Sequence, residues 1–320
     1  MSTHPLFTVC TPTFNRAGLL PRAYESLARQ TCQDFEWLVV DDGSTDNTRE
    51  VIETLMAQGK IAVRYFSKRN GGKHTALNLA VREAKGELFT VIDSDDWFDP
   101  RALERMKCHW DQVPISDRPR LKGVCGLFAY ENGEIVGDKF PADVMEADDL
   151  DIDLRYDIEG DKIGFTRTEV MREFPFPEDL SGDVKGVVYI PESIVWHRMG
   201  RKYPTRFVNE VFAIKEYQRG GITDRGRVIQ ARNSKATLLY IHEMLTCGRR
   251  LPLKHAIKNY SNYLRHSLHE NLSLGDQMKK VPSRLWCVLC LPIACYLWRR
   301  DRRAFSRDER AALQKREAVV

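Results

Sequence analysis

Four short apolar runs, at residues 6–10, 35–40, 61–66 and 88–92, alternate with amphipathic segments at the start of the chain. That rhythm limits the possible folds more than any other feature. Between the runs, apolar residues recur at helical spacing: Leu20, Tyr24 and Leu27; Val51, Ile52, Leu55 and Met56; Ala76, Leu77, Ala80 and Val81. Strands that alternate with helices predict an α/β fold, a Rossmann-like, mostly parallel sheet with helices on both faces. In such sheets ligands bind beyond the C-terminal ends of the strands. Three of the four loops at that edge are rich in polar or acidic residues, at 11–16, 41–44 and 93–96. The topology therefore gathers them into one place.

Past Pro100 the rhythm changes. Residues 124–130 and 134–136, joined through Asn132-Gly133, read as a hairpin. Residues 148–153 carry acids at alternate positions but lack the glycine and spacing of a calcium loop, so they read as a solvated edge or loop. Residues 191–203 read as a helix with Pro191 in its first turn, and residues 206–214 as a strand. From Ala236 onward the pattern is mainly helical. The reading divides the chain into a catalytic domain at 1–220 and a helical region at 221–320. The first has a nucleotide-binding half at about 1–100 and an acceptor half at about 101–220.

The 320 residues are 42% apolar and 29% charged, ordinary for a globular protein. A net charge of +4 is too small to announce nucleic acid as a partner. The basic excess is concentrated: from Lys279 onward eleven lysines and arginines stand against four acids. Residues 1–5 carry no charged leader, so a cytoplasmic chain with eight reduced, mostly packed cysteines is expected. Cys287 and Cys290 form a C-x-x-C without a second pair or a flanking histidine, which fits packing better than a metal.

The chemistry gathers in three loops. Asp93-Ser94-Asp95-Asp96 closes the fourth apolar run, and three carboxylates so close repel one another unless a cation holds them. A helix N-terminus would need one acid there. Hard oxygen ligands of this kind suit Mg²⁺ or Mn²⁺ bridged to phosphate. The pair Asp41-Asp42 follows the second run, where an acid can accept from a ribose hydroxyl or a base N–H. It also fits plain turn chemistry. Asn70-Gly71-Gly72-Lys73 puts backbone N–H groups and a lysine at a helix start, an arrangement suited to a diphosphate. Neither a P-loop nor a dinucleotide fingerprint is present.

Taken in order, Thr11-Pro12-Thr13-Phe14-Asn15-Arg16, Asp41-Asp42-Gly43-Ser44-Thr45-Asp46, Asn70-Gly71-Gly72-Lys73 and Asp93-Ser94-Asp95-Asp96 resemble the family 2 glycosyltransferases. The resemblance is close over about the first hundred residues and looser to about residue 220. It implies a GT-A fold, a nucleoside-diphosphate sugar donor (UDP-linked by expectation) and inversion at the anomeric carbon. It places Thr11, Pro12, Arg16, Asp41 and Asp42 on the nucleoside. Lys73, Asp93 and Ser94 join them on the donor, and Asp93 and Asp95 are the metal ligands, with Asp95 the more direct. Inversion needs one general base. The resemblance implies an acid opening a helix in the second half, which maps onto Glu192, with Asp183 as its substitute. His197, one turn further on, reads equally as a metal neighbour or a packed helix residue.

Other classes fit less well. A sugar nucleotidyltransferase would carry a glycine-rich basic loop directly after the first strand, a glycoside hydrolase needs two carboxylates astride a sugar, and a non-catalytic sugar-binding module would need no metal beside a base. The apolar residues 285–298, with Trp286 and Trp298 near the ends and arginines outside them, would form a helix about 21 Å long at ~1.5 Å per residue. That is short of a bilayer core of about 30 Å, and Pro292 weakens a straight span. Residues 281–303 are therefore expected either to pack as a core helix or to lie on the cytoplasmic face of a membrane. The second reading joins the glycan or lipid-linked glycan acceptor that the resemblance implies, in synthesis of cell-surface polysaccharide, lipopolysaccharide or capsule.

Overall fold

Strand β1 (Phe7–Thr13) is buried at every position, and so is β2 (Phe35–Asp41) beside it. Both are flanked by strands and covered on both faces, which is why they read as continuous apolar runs. The structure, a computed structural model, describes residues 4–180, 189–216, 226 and 229–317, with side chains as far as residue 306. These fall into two units, one of residues 1–178 and 195–218 and one of residues 179–194 and 219–320.

In the first unit, β3 (Val63–Ser67), β2, β1 and β4 (Leu88–Val91) run parallel in that order. Side chains alternate between two cores, as strand pleating requires. Phe7, Val9, Trp37 and Val39 face α1 (Leu20–Ala28), α2 (Thr48–Gln58) and α4 (Ala102–Asp111). Cys10, Leu38 and Val40 face α3 (Lys73–Glu83), α6 (Thr168–Glu173) and α7 (Ser193–Gly200). The helical faces agree with the spacing, except that Met56 is exposed. Beyond β4 the sheet continues through β8 (Lys162–Arg167), β6 (Gly123–Tyr130), β9 (Thr205–Lys215) and β5 (Trp97–Phe98), with β7 (Val144–Ala147) against β9. In that half only the β6–β9 pairing is parallel. The result is the mostly parallel sheet with helices on both faces that the spacing predicts.

Local expectations in the second half needed correction. The hairpin's return arm is a single bridge between Ala129 and Ile135. Gly137, at φ +73°, then turns the chain against Gly160, so tightly that an added Cβ would lie 2.2 Å from the Glu159 carbonyl. Residues 148–153 are not a solvated loop. The Asp148 side chain accepts from the Leu150 amide at 2.7 Å and opens α5 (Asp149–Leu154), which buries Leu150, Ile152 and Leu154. Helix α7 is shorter than the expected 191–203. It stops at Gly200, where the backbone passes so near Asp149 that a Cβ would meet its Oδ2 at 2.4 Å.

The second unit is helical: α8 (Ser234–Leu245), α9 (Leu253–His269), α10 (Leu274–Lys279) and α11 (Arg284–Glu317). Its core joins Ile241, Leu245, Tyr263 and Leu264 to Cys287, Cys290 and Ala294. The apolar stretch at 285–298 is thus the first part of a 34-residue helix that runs through Pro292. Pro292 leaves the Val288 carbonyl without its helical donor, and both residues are exposed, so water can serve it. No described helix is long and apolar enough to cross a membrane. Asp301, buried, binds Arg265 at 2.5 Å and His269 at 3.0 Å, fixing α11 to α9.

Candidate active site

The parallel register sets the site. Thr13 pairs with Asp41 and Cys10 with Val91, so the segments after β1, β2 and β4 leave the sheet along one edge. Asn15, at φ +53°, joins the first two. Its amide donates to Ser44 Oγ at 2.9 Å, and its Oδ1 accepts from the Thr45 amide at 2.7 Å. Thr11 and Pro12 belong to strand β1 rather than to the loop, and both are buried. The Trp37 indole donates to Thr11 Oγ1 at 2.9 Å. Two residues on, Thr13 Oγ1 is buried with no partner.

Asp41 accepts from the Ser44 amide at 2.8 Å and from the Tyr65 hydroxyl at 2.7 Å. Burial and that carboxylate push the Tyr65 pKa up to about 12. Both oxygens of Asp42 are engaged by the chain. Oδ1 accepts from Lys68 Nζ at 2.7 Å and the Gly71 amide at 3.0 Å, and Oδ2 from the Gly72 amide at 2.7 Å. Asp42 therefore shapes the Asn70-Gly71-Gly72 turn ahead of α3. Gly43, at φ +82°, fits beneath that turn because it lacks a Cβ, which would lie 2.8 Å from the Asn70 amide nitrogen.

The turn aims Lys73 at the acids. Its ammonium lies 2.7 Å from Asp93 Oδ1. Burial raises the Asp93 pKa, but the charge and hydrogen bond of Lys73, with the charges of Lys215 and Arg16, together outweigh it and hold the carboxyl below its usual range. Arg16 Nη1 stands 3.4 Å from Asp95 Oδ2. Arg22 donates from Nη2 to the Asp95 carbonyl at 2.7 Å and to Glu216 Oε2 at 2.6 Å, with its guanidinium 4.2 Å over the Trp97 ring. Asp96 is buried, and its Oδ1 has no partner. Burial and neighbouring Asp93 push its pKa up to about 7. Lys215, at the end of β9, is close enough to feel the same acids. Burial works against its charge, while Asp161 beside it and the acids Asp96 and Asp93 hold its pKa up.

Asp93, Asp95 and Asp96 each offer an oxygen, all within 4.8 Å of one another. A cation about 2.1 Å from each of its ligands needs them within roughly 4.3 Å, so small side-chain movements close the set. The orphaned buried oxygen of Asp96 fits the same group. Ser94 is buried between them. The structure thus brings Thr11, Pro12, Arg16, Asp41, Asp42, Lys73, Asp93, Ser94 and Asp95 together within the first unit.

Glu192 belongs to the second unit and lies one residue ahead of α7. Asp183 lies outside the described residues. His197, buried in the first unit, pairs with Asp153 at 2.9 Å, as a packed helix residue does. Arg22, Tyr65, Lys68 and Lys215 escaped the sequence reading. Asp96 was read as the third acid of its run but was given no role of its own.

Parallel β3-β2-β1-β4 order, with an acidic trio at the end of β4 and a lysine and an arginine beside it, defines the first unit as a GT-A fold. Residues 8–138 match the family described as Glycosyl transferase family 2. Over 100 residues the chain is 43% identical to a chondroitin synthase of Pasteurella multocida, covering 31% of this chain and 10% of the synthase. It therefore spans a small part of that relative. Among solved structures, Staphylococcus aureus TarS 1–349 in complex with UDP-GlcNAc superposes with a TM-score of 0.61 at 20% identity, over 94% of this chain and 92% of TarS. The Pyrobaculum calidifontis mannosyltransferase PcManGT, with GDP-Man and Mn²⁺, superposes with a TM-score of 0.53 at 17% identity, over 95% and 84%.

Proposed function

We propose that the chain is a metal-dependent, inverting glycosyltransferase that moves a sugar from a nucleoside-diphosphate donor to a hydroxyl group. The observation that carries this is the acidic trio Asp93, Asp95 and Asp96, with Lys73 and Arg16 on its carboxylates, inside the family 2 segment. The UDP-GlcNAc held by TarS supports a UDP-linked donor, and the Mn²⁺ of PcManGT supports a divalent cation.

Asp93 and Asp95 would hold Mg²⁺ or Mn²⁺, and Asp96, whose Oδ1 is buried without a partner, could supply a third oxygen. The cation supplies positive charge to the departing diphosphate. Lys73 and Arg16 are already at the acids. Half-exposed ion pairs of this kind contribute about 0–1 kcal/mol, so both side chains can pass to phosphate oxygens at little cost. Asp41, Asp42, Thr11 and Pro12 form the wall for the nucleoside, and Ser94 lies between the metal ligands. Glu192 takes the proton of the acceptor hydroxyl as its oxygen attacks the anomeric carbon. The bond from that carbon to the diphosphate oxygen breaks, and the nucleoside diphosphate leaves. The acceptor class is a glycan or lipid-linked glycan of cell-surface polysaccharide, lipopolysaccharide or capsule. Residues 281–303 hold the protein at the cytoplasmic face of a membrane.

A sugar nucleotidyltransferase remains the second reading, and the buried, strand-bound Thr11-Pro12 argues against it, since that chemistry places a glycine-rich loop there. The test is nucleotide release from a panel of UDP- and GDP-sugars with Mn²⁺, with Mg²⁺ and with excess chelator. Metal-dependent release of nucleoside diphosphate supports transfer. Release of pyrophosphate from a nucleoside triphosphate and a sugar phosphate, or release unaffected by chelator, overturns it.

A further inference from the structure

One side of α11 packs on α9 through Cys287, Cys290 and Ala294. The other side is unpartnered among the described residues: Leu285, Val288, Leu289, Ile293 and Tyr296 are all exposed, Leu285 by 68% and Tyr296 by 65%. Their spacing puts them along one stripe. The stripe continues onto α9, where Leu253 and Ile257 are also exposed. The two helices touch at this point, with Cys290 Sγ 3.9 Å from the Ile257 carbonyl. An apolar surface built from two helices is larger than scattered surface leucines explain.

Its surroundings are cationic. From Arg249 to Arg300 the sequence holds ten lysines and arginines and two acids. Arg249, Arg250, Lys254, Lys258, Arg284 and Arg299 are exposed. At the end of the stripe lies a cavity of about 640 Å³, lined by Arg249, Arg250, Leu253, Tyr260 and Trp286 among others. The Tyr260 and Trp286 rings stack there with centroids 6.2 Å apart. Gly248, at φ +77°, makes the turn that presents the two arginines after α8. Leucines for acyl chains, a tryptophan at their edge and paired guanidinium groups beyond it occur in the order of a bilayer's own layers. Guanidinium groups match phosphate oxygens in pairs.

We propose that the α9–α11 surface lies flat on an anionic membrane and that the cavity beside it seats the phosphate of a phospholipid headgroup through Arg249 and Arg250. This rests on the membrane reading above and adds to it a specific headgroup seat whose arginines lie outside residues 281–303. Two cations near an anionic surface, at about 1 kcal/mol each, amount to roughly 30-fold in binding.

The test is co-sedimentation of the full chain with vesicles of phosphatidylcholine alone or mixed with phosphatidylglycerol, at low and high salt. The expected result is binding to the mixed vesicles only, about 30-fold weaker for an Arg249→Gln/Arg250→Gln variant and lost for Leu285→Gln/Leu289→Gln. Thermal melting shows that the variants fold. Unchanged binding of the double-arginine variant, with the double-leucine variant lost, overturns the headgroup seat and leaves the membrane reading intact. A wild-type chain that ignores both vesicles overturns both. Competition by soluble glycerol phosphate as strong as by vesicles makes the seat a free-phosphate site and overturns the lipid assignment.

Discussion

Asp95 and Glu192 carry different parts of the proposed reaction, and conservative amides separate them. Asp95→Asn keeps the volume and the Arg22 contact to its carbonyl but weakens the ligand set. Transfer should fall at least ~100-fold, in the range of a lost transition-state electrostatic contact, with Mn²⁺ affinity, read by electron paramagnetic resonance, falling alongside. Full activity of this variant would remove Asp95 from the metal. Glu192→Gln should remove most turnover while donor affinity, measured by calorimetry, stays put, because only proton transfer from the acceptor is lost. Lost donor binding with retained turnover would make Glu192 structural. The acids were legible in the sequence because they close apolar strands. The role of Asp42 was not, because its partners Lys68, Gly71 and Gly72 reach it only through the turn that follows β3. Arg22 was hidden for the same reason: a helical arginine reveals nothing of a carbonyl 73 residues away.

At the scale of elements, the parallel half could be read almost strand for strand, since strands buried on both faces are continuous apolar runs. The other half could not. Residues 148–153 alternate like an edge yet coil into α5, because the Asp148 cap outweighs the alternation. Helix α11 was cut short at 298 because its apolar pattern ends there, while its charged residues continue the helix. The α8–α9 contact carries its own prediction. His266 Nδ1 meets Ser234 Oγ at 2.9 Å, and burial, with Arg265 adding to it, pushes the imidazole pKa from 6.5 down to about 3. Below about pH 6.5 the unfolded chain binds a proton that the folded unit refuses, so stability falls as pH drops from 6.5 toward 3. The slope from this group is at most ~1.4 kcal/mol per pH unit. Urea midpoints at pH 7 and pH 5 should differ, and His266→Gln, which keeps a neutral polar partner for the serine, should narrow the difference. An unchanged difference would assign the acid sensitivity to other groups.

Two units with separate cores predict two heat transitions for the whole molecule rather than one. Mn²⁺ with UDP should raise only the transition of the first unit. At about 100 times the dissociation constant the gain is ~2.7 kcal/mol, or roughly 5–11 °C for a unit of this size. An equal rise in both, or none with any nucleoside diphosphate, would count against a donor site confined to the acidic edge. The second unit is assembled from two stretches of chain, 179–194 and 219–320. Ile190 and Ile194 pack on Ala236 and Leu239, and the Tyr189 amide donates to Asn233 Oδ1 at 3.0 Å. On a ribosome, which delivers the chain from its N-terminus, the parallel sheet and its acids emerge complete while the stretch around Glu192 still lacks its support. On the proposed assignment the donor pocket is finished before the base is set, and a nascent chain halted ahead of residue 229 should hold nucleotide yet transfer nothing. If the proposed roles hold, synthesis order alone keeps the half-made protein from discharging its donor.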